Sequence, residues 1–310
     1  RERLANKPDS LNSGYAIQGE PLLLPSGAIS VFTAPTSHGK TTFLINLALN
    51  VAKEYPHKKM YIFSYEEDED SILLNAFNTY LNKEVSRDNR RTIKSYFTTG
   101  STKYVRAESR DCFTSAKDSF FKELINTNRL NINYSSYNSD NLIEGIRYLY
   151  KHENPGAIFI DYIQLLNLPE KKYKTYSRQE EIKQICISLK DLAVETGLPI
   201  ILGAQFNRTV KNHLEILPTN IGEAGDIERI ANLIVGFWNN NFYPSGTEGE
   251  INDINRDGIN APDTLYTKIL KNRGGKVGQS DLLAFNGNKA KISNKDNSDM
   301  STEQDPFLKQ

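Results

Sequence analysis

The segment that most restricts the fold of this chain is Ile29-Ser-Val-Phe-Thr33, followed by Ala34-Pro-Thr-Ser-His-Gly-Lys40 and then by Leu44, Leu47, Ala48, Val51 and Ala52 at helical spacing. A short β-prone run, a glycine-containing loop and an apolar helix face in direct succession make one strand–loop–helix unit. A helix entered through such a loop aims its first backbone N–H groups and the positive end of its dipole into the loop, which suits that loop to phosphate. Ala34-x-x-x-x-Gly39-Lys40-Thr41 has P-loop spacing, with Ala where the strict pattern has Gly. On this reading Ala34, Pro35, Thr36, Ser37, His38, Gly39, Lys40, Thr41 and Thr42 hold ATP, with Lys40 reaching the β- and γ-phosphates and Thr41 completing a Mg²⁺ shell. The alternative is a βα turn that merely contains Gly-Lys-Thr. His38 reads as a loop residue and not as a metal ligand.

Four further apolar runs, Met60–Ser64, Ala157–Asp161, Pro199–Ala204 and Leu233–Phe237, are nearly continuous instead of alternating, as strands buried on both faces are. A helical pattern at Ile182, Ile185, Leu189, Leu192 and Ala193 falls between the second and third of them. Alternating strands and helices predict an α/β fold with a mostly parallel twisted sheet flanked by helices. The end of the chain differs. Leu265–Leu270, the turn around Asn272–Gly275, Asp281–Phe285 and Asn286-Gly287 before Lys289–Ile292 predict C-terminal antiparallel β-hairpins, with Asn-Gly supplying a type I′ turn. Residues 1–28, punctuated by Gly14, Gly19, Pro21, Pro25 and Gly27, read as a linker leading into a domain at 29–292. Residues 83–140 read as helices and loops decorating the sheet, 239–263 as a long surface loop and 293–310 as a polar, disordered tail.

Composition removes several classes of function. With 38 Lys+Arg against 38 Asp+Glu the formal charge is +0, so no diffuse basic field draws in nucleic acid or an anionic membrane, and any DNA contact is local. Cys112 and Cys186 stand far apart without a second pair, which argues against structural zinc and fits a reducing, cytoplasmic setting. No apolar run approaches the roughly 18–20 residues of a membrane helix. The opening Arg-Glu-Arg-Leu, without Met or a signal-like stretch, predicts a fragment of a longer polypeptide.

A P-loop also needs an acid at the end of a second strand to hold Mg²⁺, and Asp161 closes Ile158-Phe-Ile; a strand-end turn residue is the other reading. Glu66, Glu67, Asp68, Glu69 and Asp70 follow Met60–Ser64, mostly as a solvated helix start. Glu66 lies nearest the strand end and is the best placed to polarise an attacking water, with Glu67 second. Gln205 ends another strand, either as a γ-phosphate sensor or as a simple strand-end amide.

Taken in order, APTSHGKTTFLINLAL, IFSYEE, IFIDYIQLL, SLKDLAVETGLPIILGAQFNR, EAGDIERIANLIV and KILKNRGGKVGQSDLLAFNG resemble the helicase domain of DnaB-type replicative DNA helicases, over roughly residues 14–292. These are RecA-like P-loop ATPases. The resemblance implies a homo-oligomeric ring, usually a hexamer, with ATP between neighbouring subunits. It gives phosphate and Mg²⁺ to Lys40 and Thr41, metal to Asp161, catalytic water to Glu66 and the γ-phosphate to Gln205. Lys271 and Arg273 match a hairpin pair that reaches into the neighbour's site; read from the residues alone they are an exposed, charged turn.

The resemblance also implies single-stranded DNA threading a central channel, touched by Lys171, Lys172, Lys174 and Arg178 in one loop, which read from the residues alone is as well a solvated surface loop, and by Glu223 and Gly225 in another. Gly222 stands where relatives often have Arg, and Arg208 takes either a coupling or a plain surface role. Relatives carry an amino-terminal domain that binds primase, so primase and a helicase loader are expected partners of the longer protein. The competing readings are another RecA-like ATPase, such as a recombinase or a signalling ATPase, and a nucleotide-bound loading or interaction scaffold that unwinds nothing.

Overall fold

The computed structural model describes residues 10–134, 136–169, 177–222, 224–241 and 263–295. Its centre is β3 (Ile29–Ala34), buried at every position, with Val31 packing into one face of the sheet and Phe32 into the other. After Gly39 the chain enters α1 (Lys40–Glu54). There follow β4 (Lys59–Ser64), α2 (Glu69–Leu81), α3 (Asn89–Thr99), α4 (Arg110–Phe120), β5 (Leu130–Tyr134), α5 (Ser139–His152), β6 (Pro155–Asp161), α6 (Arg178–Thr196) and β7 (Ile200–Gln205). Then come α7 (Ala224–Ile230), β8 (Leu233–Asn239), β9 (Thr264–Asn272), β10 (Ser280–Asn286) and β11 (Lys291–Asn294).

Among the described residues these strands form one nine-stranded sheet in the order β11-β10-β9-β8-β3-β7-β6-β4-β5. The strands from β8 to β5 run parallel, and β9, β10 and β11 add antiparallel to the β8 edge. The expected fold class is the observed one. Because β3 is flanked on both sides by strands that come much later in the chain, the loop after it opens into the crevice at the C-terminal ends of the sheet, where α/β proteins bind ligands.

The segment expected to be a linker is instead built into the domain from residue 11 onward. β1 (Leu11–Ile17) and β2 (Glu20–Leu24) form a separate antiparallel hairpin. Leu11, Ser13, Tyr15 and Ile17 alternate inward, and the Tyr15 ring stacks on Phe43 of α1 at 5.0 Å. Phe43 also meets Phe32 at 5.2 Å and Phe237 at 5.0 Å, so hairpin, helix and sheet share one aromatic column. Fully burying each such ring contributes on the order of 2–3 kcal/mol. The tail from 296 onward, like residues 1–9, lies outside the described residues.

Residues 83–140 hold more than decoration. Phe97, Phe113 and Phe120 close around Phe77 at 5.4–5.6 Å, which ties α3 and α4 to α2. Leu130-Asn-Ile-Asn-Tyr134 is a sheet strand, parallel to β4 at the far edge. Its asparagines hid it, because an edge strand tolerates polar residues that a central strand would not. The expected two-residue Asn-Gly turn is also corrected. Asn286 pairs with Lys291 at the end of the ladder, so four residues make the turn. The left-handed residue is Ala290, and Asn286 Oδ1 accepts from the Lys289 N–H at 2.9 Å. The expected loop at 239–263 begins later than predicted, since Asn239 completes β8 and is buried; residues 242–262 lie outside the described residues.

Candidate nucleotide site

The loop between β3 and α1 turns through two left-handed residues, Ser37 (φ 67°) and Gly39 (φ 87°). Such turns bring successive backbone N–H groups to one side. Helices α2, α3, α5 and α6 are capped by Asp68, Asp88, Asn138 and Ser177. α1 has no side-chain cap at Gly39 and no acid in its first turn. Its leading amides and dipole are therefore directed into the loop, as an anion requires.

Lys40 and Thr41 meet Asp161 across the strand ends. Lys40 Nζ donates to Asp161 Oδ1, and the Thr41 hydroxyl donates to Oδ2 at 2.5 Å. Asp161 is only 2% exposed, so these two donors compensate a carboxylate removed from water. Glu66 Oε2 stands 3.6 Å from Lys40 Nζ on the open side, and the ammonium lies 4.0 Å over the Tyr162 ring. Burial, then the charges of Glu66 and Asp161, push the Tyr162 phenol up. Glu67 is half-buried behind Glu66. Burial raises its carboxyl against the pull of Arg90, with Asp161 and Glu66 adding to the rise. Of the two acids Glu66 is the exposed one, paired with Lys40, and Glu67 the partly buried one.

The remaining loop residues have local partners. Gln205 Nε2 donates to the Thr36 hydroxyl, which joins the end of β7 to the P-loop. His38 packs its ring on Trp238 at 4.3 Å, with Nδ1 2.9 Å from the Thr36 carbonyl oxygen. Burial lowers the tendency of this imidazole to protonate, so it braces the loop as a neutral ring. Asn75 Nδ2 comes within 3.5 Å of the Thr42 hydroxyl. Pro35 forms part of the turn, its carbonyl accepting from the His38 N–H at 3.3 Å.

A hydroxyl and a carboxylate side by side are hard oxygen donors of the kind Mg²⁺ prefers. Among the described residues no group of three or more His, Cys, Asp or Glu stands together as a protein-only metal cage. Thr41 and Asp161 therefore fit a Mg²⁺ that shares its shell with phosphates, not a freestanding metal centre.

Gly203 was not anticipated. It pairs with Phe32 in the middle of the sheet, and a Cβ there would lie 2.8 Å from Asp161 Oδ1, 3.1 Å from Leu44 Cδ1 and 3.4 Å from Lys40 Cδ. A glycine inside an apolar strand marks such a close approach, and that was the available signal. Gly203→Ala is expected to displace the Lys40–Asp161 pair at a cost of about 1–3 kcal/mol. Titration calorimetry with an ATP analogue should show weakened binding, and a thermal melt the lost stability.

Lys271 and Arg273 lie at the other end of the sheet. Asn272 pairs with Leu233, which pairs with Ser30 at the start of β3. Some four strand residues, about 13 Å at the usual rise, separate that level from the P-loop entrance. Lys271 Nζ donates to the Glu228 carbonyl, and Arg273 Nη2 donates to the Arg229 carbonyl at 2.9 Å, so both cap the C-terminal end of α7. Burial, with Arg273 adding, pulls the Lys271 ammonium down.

The residues expected to touch DNA are divided. Arg208 is exposed just beyond β7, and Gly225 is exposed at the start of α7. Lys171, Lys172, Lys174 and Glu223 lie outside the described residues. Arg178 is not an open surface cation but is held at the start of α6. Its guanidinium donates to the carbonyls of Gln164 (2.7 Å) and Leu166 (3.1 Å), to Asn167 Oδ1 (3.3 Å) and to Glu181 Oε2 (2.5 Å), fixing the start of α6.

Residues 23–294 match the family model of the DnaB-like helicase C-terminal domain. The chain is 27% identical over 313 residues to the replicative DNA helicase DnaB of Buchnera aphidicola subsp. Baizongia pistaciae, covering 97% of this chain and 60% of that protein. It is 30% identical over 280 residues to the Pasteurella multocida replicative DNA helicase DnaB, covering 88% and 52%. The chain thus spans little more than half the length of these relatives. The fold superposes on a solved ATPase domain with a TM-score of 0.71 at 20% identity over 95% of each chain. It also superposes on a DnaB-like replicative helicase, described with its interactions with primase, with a TM-score of 0.70 at 20% identity, covering 92% of this chain and 62% of the other.

Proposed function

Because the chain belongs to the DnaB-like helicase C-terminal domain family, we propose that it is the motor of a replicative DNA helicase, hydrolysing ATP to translocate on single-stranded DNA. Copies assemble into a ring, a hexamer, with each nucleotide held between neighbours. The observation that carries this reading is the placement of Lys271 and Arg273. Both sit on the sheet end away from their own P-loop, so within one chain neither is available to the phosphates that Lys40 would grip. A neighbouring copy brings them to the site.

The roles follow from position. The amides around Gly39 and the Lys40 ammonium bind the triphosphate, and Thr41 and Asp161 would hold Mg²⁺. Bound there, the metal neutralises charge on the β- and γ-phosphates. Glu66, exposed and next to Lys40, takes the proton of the attacking water at its carboxylate. Gln205 reports the γ-phosphate to the end of β7. Single-stranded DNA meets Arg208, just beyond β7, and Gly225, at the start of α7, together with the Lys171, Lys172, Lys174 and Glu223 expected from the sequence, and a few cations converging from several copies give a local positive channel on a neutral protein. Primase and a loader act on the longer protein.

Strand separation on a forked duplex tests this directly. Wild-type protein is expected to release the displaced strand with ATP and Mg²⁺, and neither with a non-hydrolysable analogue nor as Lys40→Ala. ATP turnover without any strand release would instead favour the scaffold.

A further inference from the structure

Gln164 touches none of the phosphate-binding groups, yet it joins the elements that surround them. It sits half-buried on the 3-10 turn Ile163–Leu165 that follows β6 and Asp161. Its side-chain amide spans to the end of β7. Oε1 accepts from the Gln205 N–H at 3.3 Å, and Nε2 donates to the Gln205 carbonyl at 3.3 Å. The same Nε2 donates to the Gly222 carbonyl at 3.2 Å, shortly before α7 begins. Gly222 N–H in turn donates to the Gln205 carbonyl at 2.8 Å, and Asn207 N–H donates to the Asn220 carbonyl at 2.8 Å, closing the base of the segment that follows β7. The main-chain carbonyl of Gln164 receives Arg178 Nη2 at 2.7 Å, at the start of α6.

One residue therefore contacts the end of β7, the chain that leads from it into α7, and the start of α6. Both Nε2 hydrogens and Oε1 of this side chain are engaged, so its amide is committed on both sides to Gln205 and Gly222. A shift of Gln205 toward or away from Thr36 moves its own backbone, and the amide of Gln164 must follow or lose its partners. A side chain at position 222 would crowd this bridge, since a Cβ there would come 3.2 Å from the Gln205 oxygen and 3.5 Å from Gln164 Nε2.

We propose that Gln164 is the positioning residue that couples ATP turnover to DNA, linking the sensor Gln205 through its side-chain amide to Gly222, where the chain leads from β7 into α7. The proposal rests on the reading of the chain as a DNA-translocating ATPase. Coupling of this kind is reciprocal, so bound DNA favours one placement of Gln205 as much as nucleotide does.

The test compares wild type with Gln164→Glu, which keeps the acceptor but loses both donors, and Gln164→Leu, which keeps the shape and loses all three bonds. The readout is the ratio of ATP turnover with saturating single-stranded oligonucleotide to turnover without it, alongside the KM for ATP and a thermal melt. Both variants are expected to lower the ratio by roughly fivefold or more, with KM for ATP close to wild type. A purely structural brace would lower stimulated and basal turnover together and leave the ratio unmoved, and that result would overturn the proposal. Wild type that hydrolyses ATP without any response to the oligonucleotide would overturn the motor reading itself, and the coupling with it. If Gln164→Leu fails to fold, the ratio measured for Gln164→Glu decides.

Discussion

Replacing Arg273 with Ala is expected to lower ATP turnover by about 10³- to 10⁵-fold, or about 4–7 kcal/mol of barrier, while barely changing nucleotide affinity. The size follows from what a guanidinium does beside a transferring phosphoryl group, where charge spreads onto oxygens that water no longer solvates. Within its own chain the side chain makes a hydrogen bond from Nη2 to the Arg229 carbonyl at the end of α7, in an exposed setting. The hairpin is held by its backbone, since the Arg273 N–H donates to the Asn232 carbonyl at 2.9 Å and survives the substitution. The melting temperature should therefore stay within a few degrees of wild type, because an exposed polar contact contributes little. Steady-state turnover and analogue binding, measured on the same preparation, check the two halves separately. Undiminished turnover would remove Arg273 from the site.

Lys40→Ala should abolish turnover as well, but by a different route and with a cost to folding. Lys40 is one of two donors to a carboxylate that is 2% exposed, and removing it leaves Asp161 with the Thr41 hydroxyl. Removing one member of a buried ion pair commonly costs about 3–5 kcal/mol, because the remaining charge is neither solvated nor matched. The variant should thus melt well below wild type at neutral pH. Adding Asp161→Asn removes the stranded charge, so the double variant should melt higher than Lys40→Ala alone while remaining inactive. A double variant that melts no higher would mean that the pair contributes packing and not charge compensation.

The parts of this molecule that sequence reveals are those whose physics is local. β3, β4, β6, β7 and β8 are near-continuous apolar runs because both of their faces are covered, and the P-loop declares itself through the strand before it and the helix after it. That reading puts Lys40 and Thr41 in the P-loop and Asp161, Glu66 and Gln205 at or near strand ends, and the structure brings all five around one crevice. β1 and β2 escaped because their glycines and prolines resemble a linker, although the inward alternation of Leu11, Ser13, Tyr15 and Ile17 was present in the chain. β5 escaped because an edge strand can carry asparagine. Gly203 and Gln164 depend on neighbours some 40 positions away in the chain, Asp161 for the one and Gln205 for the other, which no local pattern reports. Arg178 was read as a free cation in a loop, and only the fold reveals the four acceptors that occupy it.

The claim beneath all of this is that a site with Lys40 on one copy is completed by Arg273 of the next. Mixing Lys40→Ala chains with Arg273→Ala chains measures it most directly, since neither can build a complete site alone. In a random one-to-one mixture of head-to-tail assemblies, roughly a quarter of interfaces pair an intact P-loop with an intact hairpin. ATP turnover of the mixture is predicted to rise clearly above the sum of the separate preparations. A mixture no more active than that sum would contradict a shared site.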